Sequence, residues 1–108
     1  LDWACSHNVH TVELLNEARL QLRDIAAYYK MKIGPSSARK ITSRILDAIE
    51  KLADFPEMGM VPHAKMIADA GYRVLIIEDY LCFYHVVNDV VFVSHIVHTS
   101  TDYIKRIF

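Results

Sequence analysis

Apolar residues recur at helical steps through the first half of the chain and at strand steps through the last third. Ala18, Leu22, Ile25, Ala26, Tyr29 and Ile33 fall three and four residues apart, which places them on one face of a helix. Asn16 offers a side-chain acceptor as N-cap, with Glu17 in the first turn. Gly34-Pro35 stops this helix, and Ser36 or Ser37 is expected to cap a second one whose stripe is Ala38, Ile41, Ile45, Ala48, Ile49 and Leu52. A helix hairpin follows. Ahead of it, Val9 to Leu15 alternates loosely and reads as one short strand.

Phe55-Pro56-Glu57-Met58-Gly59 ends the hairpin, and a connection through Met60 and Met66 leads to Ala70-Gly71. From there the period changes. Tyr72 to Ile77, Tyr80 to Val87 and Val90 to Val97 are rich in β-branched and aromatic residues, separated by Glu78-Asp79 and Asn88-Asp89. If both turns hold two residues, Ile77 faces Tyr80, Leu75 faces Cys82 and Arg73 faces Tyr84; Val86 then faces Val91, Tyr84 faces Val93 and Cys82 faces His95. One face of this three-stranded meander carries Arg73, Leu75, Ile77, Tyr80, Cys82, Tyr84, Val93, His95 and Val97. The other carries Val74, Ile76, Leu81, Phe83, Phe92 and Ile96, with Tyr72, His85 and Ser94. The second face is expected to meet the helix hairpin. The first is too apolar to be left in water, so it is expected to be covered by a partner or by Tyr103, Ile104, Ile107 and Phe108 of the C-terminal segment.

The chain has 108 residues, the size of one small domain that buries roughly two thirds of its unfolded surface. Residues 9–108 are read as that domain, and residues 1–8 as an aperiodic arm or an expression remnant. With 53% hydrophobic and 23% charged residues, disorder is not expected. A net charge of −1 and a pI near 6.6 give no global drive toward nucleic acid or an anionic membrane. Cys5 and Cys82 lack metal-ligand spacing and read as free thiols of a reducing cytoplasm. His7-x-x-His10 supplies two ligands without a third, so neither a metal nor a cofactor is expected. No apolar run reaches membrane-spanning length, and a cytoplasmic protein is the default expectation.

The order strand, helix, helix, three strands comes with Leu52-x-x-Phe55-Pro56-x-Met58-Gly59, Gly71-Tyr72-Arg73, Phe83-Tyr84 and a closing Asp102-Tyr103. Together these resemble the RelE/ParE superfamily of toxins from bacterial type II toxin-antitoxin systems. The resemblance covers residues 9–108. It implies an α+β fold with an N-terminal strand, a helix hairpin, a three-stranded antiparallel meander and a short C-terminal helical segment. It also implies a growth-arresting toxin, a cognate antitoxin partner in a hetero-oligomer, and either DNA gyrase or the ribosome with its mRNA as target.

Ribosome-dependent RNA cleavage needs a base, an acid and cations for the developing phosphorane charge. Under that reading Arg73, His95 and Tyr103 are the catalytic candidates. Leu75 and Leu81, however, occupy places that are basic in the RelE-like enzymes, and Ser100 and Thr101 stand where an Arg-rich turn is common. Ile96-Val97-His98-Thr99-Ser100-Thr101 is instead similar to the ending of ParE-like toxins, so the resemblance leans toward gyrase inhibition by binding. An mRNA endoribonuclease, or a weakened toxin that only binds its antitoxin, are the alternatives. Antitoxin or target contact is expected at Leu75, Ile77, Tyr80, Tyr84, Val93, His98, Tyr103 and Phe108. Individual residues keep plainer readings: His95 as a sheet histidine, Arg73 as a carboxylate partner, Tyr103 as a C-terminal anchor, and the basic residues of the second helix as a solvated face.

Overall fold

The computed structural model describes residues 11–101. The expected strand start at Val9, the C-terminal helical segment with Tyr103 and Phe108, Cys5 and the His7/His10 pair lie outside them. Strand β1 (Thr11–Leu14) leads into helices α1 (Asn16–Lys32) and α2 (Pro35–Glu50), closed by a 3-10 turn at Lys51–Ala53. A short helix α3 (Lys65–Asp69) precedes strands β2 (Arg73–Ile77), β3 (Tyr80–Val87) and β4 (Val90–His98). The α+β architecture is the one expected. One sheet has the order β1-β4-β3-β2, with β1 parallel to β4 and the other pairs antiparallel.

The caps differ from expectation. Leu15 is the N-cap of α1 and makes no side-chain cap bond, Asn16 being already helical; the Arg19 Nε donates instead to the Leu14 carbonyl at 2.9 Å. Gly34, at φ 146°, both follows α1 and caps α2, with Pro35 at the first helical position rather than a serine cap. Proline suits that position because its missing N–H would have had no helical partner. The two strand turns do hold two residues. Their first residues, Glu78 and Asn88, take left-handed backbone at φ 54° and 55°, easily for Asn and at more cost for Glu. The Glu78 carboxylate is met by Arg44 of α2 at 2.9 Å.

The first hairpin has the expected register, and the second follows it from Val86↔Val91 to Tyr84↔Val93. There Ser94 is inserted as a bulge, and the pairing resumes as Phe83↔His95 and Cys82↔Ile96. A one-residue slip exchanges the faces of everything beyond it. Ile96 thus joins the face of Cys82, while His95 and Val97 leave it.

The expected core face is inverted. Leu75, Ile77, Tyr80, Cys82, Tyr84, Val91, Val93 and Ile96 form one buried cluster with Ala18 and Ile25 of α1 and Ile41, Ile45 and Ile49 of α2. The hairpin therefore seals the face expected to receive a partner. The physical reason is continuity: this face offers an unbroken apolar field, whereas the other is interrupted by His85 and Ser94. Only part of that other face is buried, where Val74 and Phe83 pack with Ile67 of α3. Ile76 remains 54% exposed.

The connection through Met58–Met60 is pinned to β2 and β3. The Tyr84 hydroxyl donates to the Pro56 carbonyl at 2.7 Å and accepts from the Gly59 N–H at 3.0 Å. Met60 and Val74 exchange backbone bonds of 2.7 and 2.8 Å. A Cβ at Gly59 would lie 2.6 Å from the Tyr84 Oη and 2.8 Å from the Val74 carbonyl oxygen, so only glycine fits this approach.

Gly59→Ala and Tyr84→Phe should each lower unfolding free energy by about 1–3 kcal/mol, the first by overpacking and the second by orphaning two backbone groups. Leu75→Ala should cost about 2–4 kcal/mol and Ile76→Thr under about 1, reversing the order that the expected core face would give. Urea unfolding of the four variants measures all of these.

Candidate functional site

A cleft of about 780 Å³ opens between α1 and the end of β4. Glu17, Gln21, Asp24 and Tyr28 reach it from α1 at steps of four, three and four residues, which is one helical stripe. Ile25 and Tyr29 line its base from the same helix, and Tyr80 faces them from β3. His95 to His98 form the β4 wall, with Thr101 beyond it. The only formally charged side chains in this lining at neutral pH are the carboxylates of Glu17 and Asp24, since neither Lys nor Arg is among the described lining residues.

β1 runs out before this wall does. It pairs with β4 as far as Leu14↔Val93, and Leu15 N–H donates to the Val93 carbonyl at 2.9 Å. Among the described residues no strand pairs with β4 past Val93 on that side. There the Ile96 N–H donates to Gln21 Oε1 at 2.6 Å. The amide side chain of a helix thus stands in for the carbonyl of a missing neighbour strand.

The histidines sit at the mouth. The His95 Nδ1 lies 3.0 Å from the hydroxyl of buried Ser94, and that hydroxyl donates to the Phe83 carbonyl at 3.3 Å. Burial holds the His95 imidazole below its ordinary pKa, against an opposing pull from the Glu17 carboxylate. The His98 ring meets Tyr80 edge-on at 5.5 Å and its Nδ1 accepts from the Ser100 N–H at 3.1 Å. Burial first, then the hydrogen bond and charge of Tyr29, keeps the Tyr80 phenol well above its usual range. Cys82 is wholly buried, its thiol pushed up to about 12 by desolvation, and it is no nucleophile.

Several expected site residues are therefore relocated. Arg73 and His95 do not share a face, because the bulge sets His95 opposite Phe83 while Arg73 stays opposite Tyr84. The Arg73 guanidinium donates from Nη2 to the Gly59 carbonyl at 2.8 Å and the Glu57 carbonyl at 3.2 Å, rather than to a described carboxylate. Leu75, Ile77, Tyr84 and Val93 lie in the core and present no docking surface. Tyr80 and His98 do line the cleft, while Tyr103 and Phe108 are outside the described residues. Glu17, Gln21, Asp24 and Tyr28 were not singled out by the sequence. Their shared periodicity was the available signal, and it is also that of an ordinary solvated face.

Among the described residues no group of three or more His, Cys, Asp or Glu side chains is placed to hold a metal ion, and no helix is long and apolar enough to cross a membrane. A second, shallower depression of about 460 Å³ lies over residues 54–58, beside exposed Phe55 and Met58.

Comparison with known proteins bears on this arrangement. Residues 12–103 match the family model described as the ParE toxin of the type II toxin-antitoxin system parDE. The fold is similar to a solved chain described as the chromosomal ParDE TA system from P. aeruginosa, with a TM-score of 0.73 and 19% identity over 84% of this chain and 97% of that one. No curated sequence matches the chain.

The depressed His95 pKa carries a sign. Between the folded value and about 6.5 the unfolded chain holds a proton that the folded protein lacks, so this contribution is complete above that pH and is lost as pH falls below it. His95→Gln should therefore lose less thermal stability than the parent between about pH 7.5 and about pH 5.5. Equal losses in calorimetry would place the histidine outside this linkage.

Proposed function

The chain belongs to the ParE toxin family of type II toxin-antitoxin systems, and we propose that it arrests growth by binding and inhibiting DNA gyrase rather than by cutting RNA. The observation that carries this reading is the fate of Arg73. Phosphoryl chemistry on RNA requires cations aimed at the phosphorane and a base within reach of the same ribose. Here the Arg73 guanidinium is bonded to two backbone carbonyls, and the register sets His95 on the opposite face of the sheet. The cleft beside His95 carries carboxylates, which repel a phosphate backbone. A cleft with neither Lys nor Arg among its described lining residues fits inhibition through protein contact.

A cognate antitoxin, as in the ParDE neighbour, is the natural second partner. By binding only the folded toxin it would stabilise it while masking its target surface. Among the exposed apolar side chains outside the cleft, Phe55, Met58, Met60, Val61 and Met66 share the connection between the helix hairpin and the sheet, and this methionine-rich stretch is the one most suited to target contact, since adaptable methionines and an aromatic are typical of such patches.

Purified protein added to gyrase and relaxed plasmid should abolish supercoiling, while mRNA on programmed ribosomes stays intact. Codon-associated cuts with supercoiling unaffected would replace this reading with the nuclease one. Arg73→Gln should reduce stability and toxicity together, and Phe55→Ala should reduce supercoiling inhibition roughly tenfold or more with stability retained, as for an anchor residue at an interface.

A further inference from the structure

The cleft between α1 and β4 combines three features that specify what enters it. One wall is a strand edge, where the Ile96 N–H points outward and is held at 2.6 Å by Gln21 Oε1. An amide oxygen in that position marks where the carbonyl of a paired strand would sit, so the occupant that completes the sheet is an extended segment. The opposite wall carries the carboxylates of Glu17 and Asp24, two helical turns apart, with no Lys or Arg among the described lining residues. The exposed ring of Tyr28 stands one turn beyond Asp24, and an aromatic face beside a carboxylate favours a guanidinium.

We infer that this cleft receives an extended strand of the antitoxin, added to the edge of β4 past Val93, where no strand pairs among the described residues, with an arginine side chain directed at Glu17, Asp24 and Tyr28. This rests on the toxin reading above and adds to it the site, backbone conformation and charge of the bound segment. Gln21 then acts as a placeholder. It satisfies the Ile96 N–H in the free toxin and gives way when a main-chain carbonyl arrives, so the edge is never left as an open template for self-association. The charge pattern is also selective, since an acidic strand would meet two like charges.

The test uses the full chain and its cognate antitoxin, with the dissociation constant measured for the parent, Glu17→Gln/Asp24→Asn, and a control, Asp47→Asn/Glu50→Gln, on the outer face of α2. The cleft pair should weaken binding tenfold or more and flatten its salt dependence, with the control within about twofold of the parent. Because the replaced carboxylates are exposed and the substitutions near-isosteric, the fold should persist, which circular dichroism verifies. A reciprocal arm replaces the antitoxin's arginines one at a time by glutamate, and Glu17→Lys/Asp24→Lys toxin should restore binding to one of them. Equal binding by parent and cleft variants, with no rescue, would overturn this inference and leave the toxin assignment standing. An antitoxin that binds none of the toxins, parent included, would overturn both.

Discussion

One extra residue in β4 decides which side chains the domain buries and which it offers. With Ser94 bulged between Val93 and His95, the strand reaches Cys82 with Ile96 instead of the histidine. Ile96 thereby completes the apolar field under the helix hairpin, and its relative exposure is 1%. Without the bulge an imidazole would stand there, and a buried polar ring without partners costs a few kcal/mol. The same slip turns His95 away from the face of Cys82 and toward the cleft. The core and the cleft wall are thus shaped by one residue.

The second constraint is the polar clamp around Gly59. Arg73, a candidate for RNA cleavage, and Tyr84, a candidate for partner contact, are both engaged in fastening the Pro56–Met60 connection to the sheet. A phenol and a guanidinium engaged with backbone carbonyls are structural groups. The residue types are present while their hydrogen bonds are used internally. The fold sets the positions, and the local bonding decides which of them remain free for chemistry.

Much of this architecture was legible in the chain. The stripes Ala18–Ile25 and Ala38–Leu52 gave the hairpin, the change of period at Gly71 gave the meander, and the turn pairs Glu78-Asp79 and Asn88-Asp89 gave the register of the first hairpin and half of the second. The orientation of the sheet was not legible, because both faces are apolar and period-two alternation does not say which one a helix pair will cover. Ser94 looked like a polar residue in a regular strand. A bulge leaves no mark in the side-chain pattern when the residues on both sides of it remain strand formers. The cleft stayed hidden for a different reason: Glu17, Gln21 and Asp24 acquire meaning only when α1 is laid beside β4, a contact between residues that are distant in sequence.

These observations join in one claim, that the edge of β4 past Val93, unpaired by any strand among the described residues, is where we propose the antitoxin completes the sheet. Amide hydrogen exchange of the toxin alone and in complex with its antitoxin tests this most directly, because strand addition protects the outward main-chain N–H groups of the edge it pairs with beyond any general slowing. The account predicts new protection at Ile96 and His98, with the β2 edge at Ile76 unchanged. Protection gained along β2 or over residues 55–66, with Ile96 exchanging as it does in the free toxin, would contradict it.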